Sequence, residues 1–266
     1  MPSIRPVVAI VPVVVTEPEQ LDPLARCLVS LYSTAPGTPI IVAGGSESDP
    51  ALLDQVAAAA EELDGELVRS PGNVVAAVNA GLRAAADGGA DAVIVGQDVE
   101  LPTDRPWLAA LQAREDTTGR PAAVVGGRLA HPGDLLVDAG LFFSSFFREW
   151  LPRLRYAPAE LPAALRPALC PVKAGLKLIR NDTLLEIGVY DDELELEHAD
   201  VDFCLRAFAA GLECVYEPSA FARRLTPARP HEEPPPAVER RRIRSLGALK
   251  RKHQGVDFSP FVPEIA

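Results

Sequence analysis

Val7-Val8-Ala9-Ile10-Val11, running into Pro12, is an unbroken and largely β-branched stretch near the start of the chain. A strand with one wet face alternates apolar and polar residues, so a continuous apolar run marks a strand covered on both faces, as in a parallel sheet. Outward from it, Leu21 to Ser33 sets Leu24, Cys27, Leu28 and Leu31 at helical spacing and closes on Pro36-Gly37. A second apolar strand, Pro39 to Ala43, leads through the Gly44-Gly45-Ser46 turn into an alanine-rich helix from Ala51 to Leu63. Glu66 to Arg69, Val74 to Asp87 and Ala92 to Val95 then read as strand, helix and strand. This alternation predicts an α/β fold with a mostly parallel, Rossmann-like sheet and right-handed crossovers. Ligands in such sheets bind beyond the carboxyl ends of the strands. The turns at 13–16, 43–46 and 96–100 are therefore expected to converge on one pocket.

Beyond Pro102 the pattern changes. A helix around Trp107 to Arg114 and a strand at Ala122 to Val125 precede a Gly-rich stretch, and Leu141 to Leu169 is rich in aromatic residues, Pro and Arg without a clean period. That segment reads as a mobile flap, as an acceptor-side segment or as an ordinary packed insertion. Thr226 to Pro236 is a proline-rich linker, and Ala237 to His253 a basic helix.

With 266 residues, 48% of them hydrophobic, the chain has enough apolar material for one large α/β domain. Its formal net charge of -11 excludes a protein built to hold nucleic-acid phosphates. Cys27, Cys170, Cys204 and Cys214 form no CxxC pair and read as small apolar core residues in a reducing compartment. The run at Val7 is too short to span a bilayer and has no signal-peptide flanks, so the expectation is a cytoplasmic protein. Gly44-Gly45-Ser46 lacks the lysine of a P-loop. His131 and His198 are too scattered for a metal cluster, and His198 reads as a solvent-exposed loop residue.

The most informative stretch is Glu197-His198-Ala199-Asp200-Val201-Asp202-Phe203-Cys204-Leu205-Arg206. Read locally, Asp200 is an N-cap and Asp202 favours the positive end of the helix. Read with other blocks in the same order, the chain resembles the family 2 glycosyltransferases of GT-A fold, in particular their rhamnosyltransferase-like branch. Ile10-Val11-Pro12 resembles that family's "IVPVYN", Val42-Ala43-Gly44-Gly45-Ser46 lies where it has "VDDGS", and Asn79-Ala80-Gly81 matches "NxG". Gly96-Gln97-Asp98-Val99-Glu100-Leu101 resembles the "LNPDV" form of the DxD motif, Ile187 to Glu193 resembles "IGGFDE", and Ala199 to Arg206 resembles "EDVDLCLR". The likeness runs from about residue 7 to about residue 225. It departs at Val15, Ala43, Gly44 and Ala199, where the family has polar or acidic residues.

The resemblance implies a three-layer GT-A sandwich: a nucleotide-sugar-binding half over residues 1–101, an acceptor-side half over 102–225, and a linker with a basic helix and tail over 226–266. It implies transfer of a hexose or deoxyhexose, with inversion, from a nucleotide-diphosphate donor to a hydroxyl acceptor (glycan, lipid-linked glycan or small molecule). Pro12, Ala43, Gly44, Asn79 and Gln97 fall where the family holds the nucleotide. Asp98 is the candidate ligand for Mg2+ or Mn2+, and Asp200 the candidate base. Arg224, beside Arg223, stands where the family often has a metal-binding histidine. A guanidinium cannot ligate a cation but can pair with phosphate directly, so either arginine can take the place of the metal. The C-terminal arm is expected to pack on the body or on a second subunit, and its basic run is a candidate contact for anionic lipid. The alternative is a non-catalytic or regulatory relative that has lost its donor contacts. The two separate on whether Asp98, Asp200 and Arg224 face one cavity large enough for a sugar nucleotide.

Overall fold

In the computed structural model, which describes residues 5–227 and 236–262, the first half runs β1 (Val7–Val13), α1 (Leu21–Thr34), β2 (Ile40–Gly44), α2 (Pro50–Glu61), β3 (Glu66–Arg69), α3 (Val74–Asp87) and β4 (Asp91–Val95). There follow β5 (Val99–Glu100), α4 (Trp107–Ala113), β6 (Val124–His131), β7 (Leu135–Asp138), β8 (Leu141–Ser144), β9 (Glu149–Pro152) and β10 (Ala168–Leu169). Next come β11 (Leu176–Ile179), α5 (Asn181–Ile187), α6 (Leu196–Ala209), β12 (Cys214–Arg224) and α7 (Pro236–Lys252), followed by a 3-10 turn at Ser259–Phe261. One sheet runs in the order β10-β12-β6-β11-β4-β1-β2-β3, with β5 added to β12 and β7 to β6. Strands β1, β2, β3, β4, β6 and β12 point one way and β5, β7, β10 and β11 the other. This is the mostly parallel α/β sheet expected, with the antiparallel members gathered beyond β4.

The apolar run of β1 explains the layering. Val7, Ala9, Val11 and Val13 enter one core with Leu24, Cys27, Leu28 and Leu31 of α1, Val56 of α2 and Trp107 of α4. Ile10 enters the other, with Val78 and Leu82 of α3, Leu184 of α5, Phe203 of α6 and Leu249 of α7. Helices therefore cover both faces, and a strand between two layers has no place for alternating polar residues. The helix starts are set locally: Asn73 caps α3 through the Ala76 amide, and Asp49 caps α2 through the amides of Ala51 and Leu52. All four cysteines are free and buried. Among the described residues, no helix is long and apolar enough to cross a membrane.

The stretch Leu141 to Leu169, which has no clean period in sequence, holds the separate β8–β9 hairpin and a series of turns. The hairpin is pinned by aromatic contacts of Phe143 and Trp150 with Phe258. Most of the linker at 226–236 lies outside the described residues. The basic helix α7 packs back on its own body: Arg242 reaches Glu149 and Glu197, Arg241 reaches Glu195, and Lys252 reaches Asp191 and Asp202. Arg240, Arg244, Lys250 and Arg251 stay exposed.

Asp202 carries a testable part of this docking. Burial opposes its ionisation, but hydrogen bonds from His253, Lys252 and Arg206 outweigh that and hold its carboxyl at about 2. A carboxylate whose pKa falls on folding stabilises the native state above its ordinary pKa, and that contribution disappears as pH drops through the folded value. Urea titrations are expected to lose about 2 kcal/mol between roughly pH 4 and pH 2 from this group. The double variant Lys252→Ala/His253→Ala should flatten that limb, and an unchanged limb would remove Asp202 as its source.

Candidate active site

A cavity of about 1270 Å³ opens at the carboxyl ends of β1 and β4. Pro12 and Val14 line it from the end of β1, Gly96, Gln97 and Asp98 from the turn after β4, and Asp200 from α6. Arg224 closes it from the end of β12, and Glu239, Arg242, Leu246 and Leu249 of α7 wall it. Asp98, Asp200 and Arg224 therefore share one cavity, larger than the roughly 300–1,000 Å³ that suits a drug-sized ligand.

Arg224 sends Nε and Nη2 to the same oxygen of Asp98, Oδ2, at 2.9 and 2.6 Å. The Thr226 hydroxyl also donates to that oxygen, and the Leu225 amide bonds the Asp98 carbonyl at 2.7 Å. The next-door Arg223 points the opposite way, as neighbours on a strand do, and pairs with Asp134 outside this cavity. A guanidinium thus lies against the candidate metal ligand. Among the described residues, no three His, Cys, Asp or Glu side chains come together to hold a metal ion. Divalent magnesium or manganese needs several hard oxygen donors. One carboxylate already engaged by a guanidinium and a hydroxyl does not fit that need.

Asp200 is not the N-cap that local reading suggests. The helix α6 starts at Leu196 with Glu195 at its N-cap, which places Asp200 in the second turn. There its Oδ2 accepts the Ala174 amide at 2.7 Å, while Oδ1 accepts the Lys177 ammonium and the Tyr190 hydroxyl, the latter at 2.8 Å. The lysine side chain is 0% exposed and the aspartate side chain 2%. Asn79 completes the network from α3, since its amide bonds both the carbonyl and the N–H of Tyr190 at 2.9 Å. Asn79 is buried and does not line the cavity; it fixes the tyrosine that meets Asp200.

The other sequence candidates divide. Pro12 lines the cavity. Gln97 does too, but its side-chain amide is paired with both backbone groups of Val14, at 2.7 and 3.2 Å. Ala43 and Gly44 are buried in the sheet and lie outside the cavity lining, so the expected convergence of three turns holds for two. The reason is steric. The turn after β2 is closed by the start of α3: Ser46 bonds the Gly72 carbonyl, and a Cβ on Gly45 would fall 2.3 Å from the Val74 nitrogen. His198, expected in a solvent-exposed loop, is buried within α6, where its Nδ1 lies 2.7 Å from Ser245 of α7. Burial lowers its pKa.

Two groups escape the sequence reading. Lys177 stands between Leu176 and Leu178 in β11, and a lysine inside an apolar central strand requires a buried carboxylate, a signal the sequence does carry. Asp138, at the end of β7, lines the cavity and has no family motif to mark it.

No family model and no curated protein matches the chain. Solved structures do. The mannosyltransferase PcManGT from Pyrobaculum calidifontis, solved with GDP-Man and Mn2+, is similar over 97% of this chain and 67% of its own, with a TM-score of 0.58 and 18% identity. GalNAc-T7, solved with UDP, GalNAc and Mn2+, is similar over 93% of this chain, with a TM-score of 0.59 and 13% identity. The chain spans about half of that protein, 48%. A mycobacterial protein is similar over 92% of this chain and 74% of its own, with a TM-score of 0.53 and 14% identity. At such identities the likeness shows architecture: the chain has the GT-A fold of nucleotide-sugar glycosyltransferases.

Proposed function

We propose that the chain is an inverting glycosyltransferase, moving a hexose or deoxyhexose from a nucleotide-diphosphate donor to a hydroxyl acceptor in polysaccharide, glycolipid or glycoside assembly. The observation that carries this reading is Arg224, held on Asp98 inside a cavity at the carboxyl ends of β1 and β4. A departing diphosphate needs positive charge beside it, and a guanidinium fixed by a carboxylate is pre-organised to supply it through its remaining N–H groups. No step is assigned to a metal, because the donor set does not fit one. The acceptor enters past the wall formed by β9 and α7, and its oxygen attacks the anomeric carbon from the face opposite the diphosphate.

Thermal-shift titration with nucleoside diphosphates and nucleotide sugars tests the donor site without knowledge of the acceptor. At 100 times Kd, binding adds about 2.7 kcal/mol to stability. One nucleotide series is expected to shift the melting midpoint equally with EDTA, with Mg2+ and with Mn2+. The second reading, a non-catalytic relative, is favoured by two observations: the Lys177 ammonium on Asp200, and the closed turn at Ala43 to Gly45. It expects silence across the whole panel.

A further inference from the structure

Inverting transfer requires a group that accepts the proton of the attacking hydroxyl, and the family position for it is Asp200. That carboxylate has both oxygens engaged, by Lys177 and Tyr190 on one and by the Ala174 amide on the other. Of the three aspartates lining the cavity, Asp98 likewise carries Arg224 and Thr226. The third, Asp138, differs. Its Oδ1 accepts the Gly140 amide at 3.0 Å, and no other hydrogen bond or ion pair reaches the carboxylate among the described residues. The residue is 7% exposed and lines the cavity.

Resting on the donor-site reading above, we propose that Asp138, in place of Asp200, is the base that takes the acceptor proton. The acceptor oxygen forms its bond to the anomeric carbon as its proton passes to the Asp138 carboxylate. The bond from that carbon to the diphosphate oxygen breaks with its electron pair, and the departing charge falls to Arg224. Burial pushes the Asp138 carboxyl above its ordinary value, against the pull of Lys173, the Gly140 amide and Arg224, and a raised carboxyl is a stronger proton acceptor. Lys177 and Tyr190 then hold Asp200 as a fixed part of the wall behind Ala174.

The test uses the full chain with UDP- and GDP-hexoses, reading nucleoside diphosphate release with water as acceptor, beside the thermal shift given by UDP and GDP. Asp138→Asn is expected to keep the shift and to lower release by at least about 100-fold, in line with what a general base contributes. Asp138→Ala should be equally slow and partly rescued by added formate, which separates a missing base from a damaged fold. A rate within tenfold of wild type for either variant would overturn the assignment. So would wild-type protein that binds nucleotide yet releases no diphosphate from any donor, while leaving the donor site standing. Absence of any thermal shift strikes the donor-site reading itself.

Discussion

Lys177→Met is expected to remove about 3–5 kcal/mol of folding stability, the range found when one partner of a buried ion pair is deleted. The lysine and its aspartate have side chains 0% and 2% exposed, so neither charge has water to turn to once the other is gone. The pair is a matter of mutual need more than of net gain. Its Coulomb attraction only offsets the desolvation of both ions, and the Tyr190 hydroxyl and Ala174 amide satisfy the remaining lone pairs of Asp200. Lys177→Met combined with Asp200→Asn is therefore expected to regain most of the loss, because the amide oxygen still receives the Ala174 N–H and no isolated charge is buried. Urea unfolding of the four proteins in this cycle gives the coupling directly. A single variant within 1 kcal/mol of wild type, or additive effects in the double variant, would show that the two charges do not depend on each other.

Arg224→Ala should weaken nucleoside diphosphate binding by about tenfold to hundredfold, the equivalent of the roughly 1.5–3 kcal/mol of a hydrogen bond to a charged group. Arg224→Lys should recover only part of this, because an ammonium lacks the planar fork. The sharper result concerns Asp98. Were it the ligand of an essential cation, Asp98→Asn would cost affinity as heavily as loss of the metal. With Arg224 carrying the phosphate charge, Asp98→Asn removes a competing negative charge and leaves Thr226 and Leu225 in place beside it. Affinity is then expected to hold or rise. Calorimetric titration in EDTA compares the variants, and a collapse of binding in Asp98→Asn together with a need for Mn2+ would return the site to metal chemistry.

The strands and helices were legible because they answer to local rules. A strand between two helical layers must be apolar throughout, and Val7 to Val11, Ile40 to Ala43 and Ala92 to Val95 are. The cavity's position was legible too, since Pro12, Gln97, Asp98 and Asp200 lie on or beside the carboxyl edge of the sheet. The roles of the side chains were less so, because they depend on partners distant in sequence. Asp200 reads as a helix cap until α7 is in place: His198 is polar and looks like loop, yet it is seated on Ser245 inside the helix. Ala43 and Gly44 read as nucleotide contacts until Asn73 and Val74 are found to close their turn. Asp138 has no motif around it, and only the sheet brings it across from Arg224 and Asp200.

Every strand of the sheet precedes Pro236, so during synthesis the ribosome delivers the sheet before the helix that completes the cavity. The nascent protein passes through a stage in which the trough beneath Asp98 and Asp200 is open on one side, with Glu149 and Glu197 of its lining awaiting Arg242. An acidic trough at that stage repels a diphosphate. Ligand capture is thereby tied to the synthesis and docking of α7.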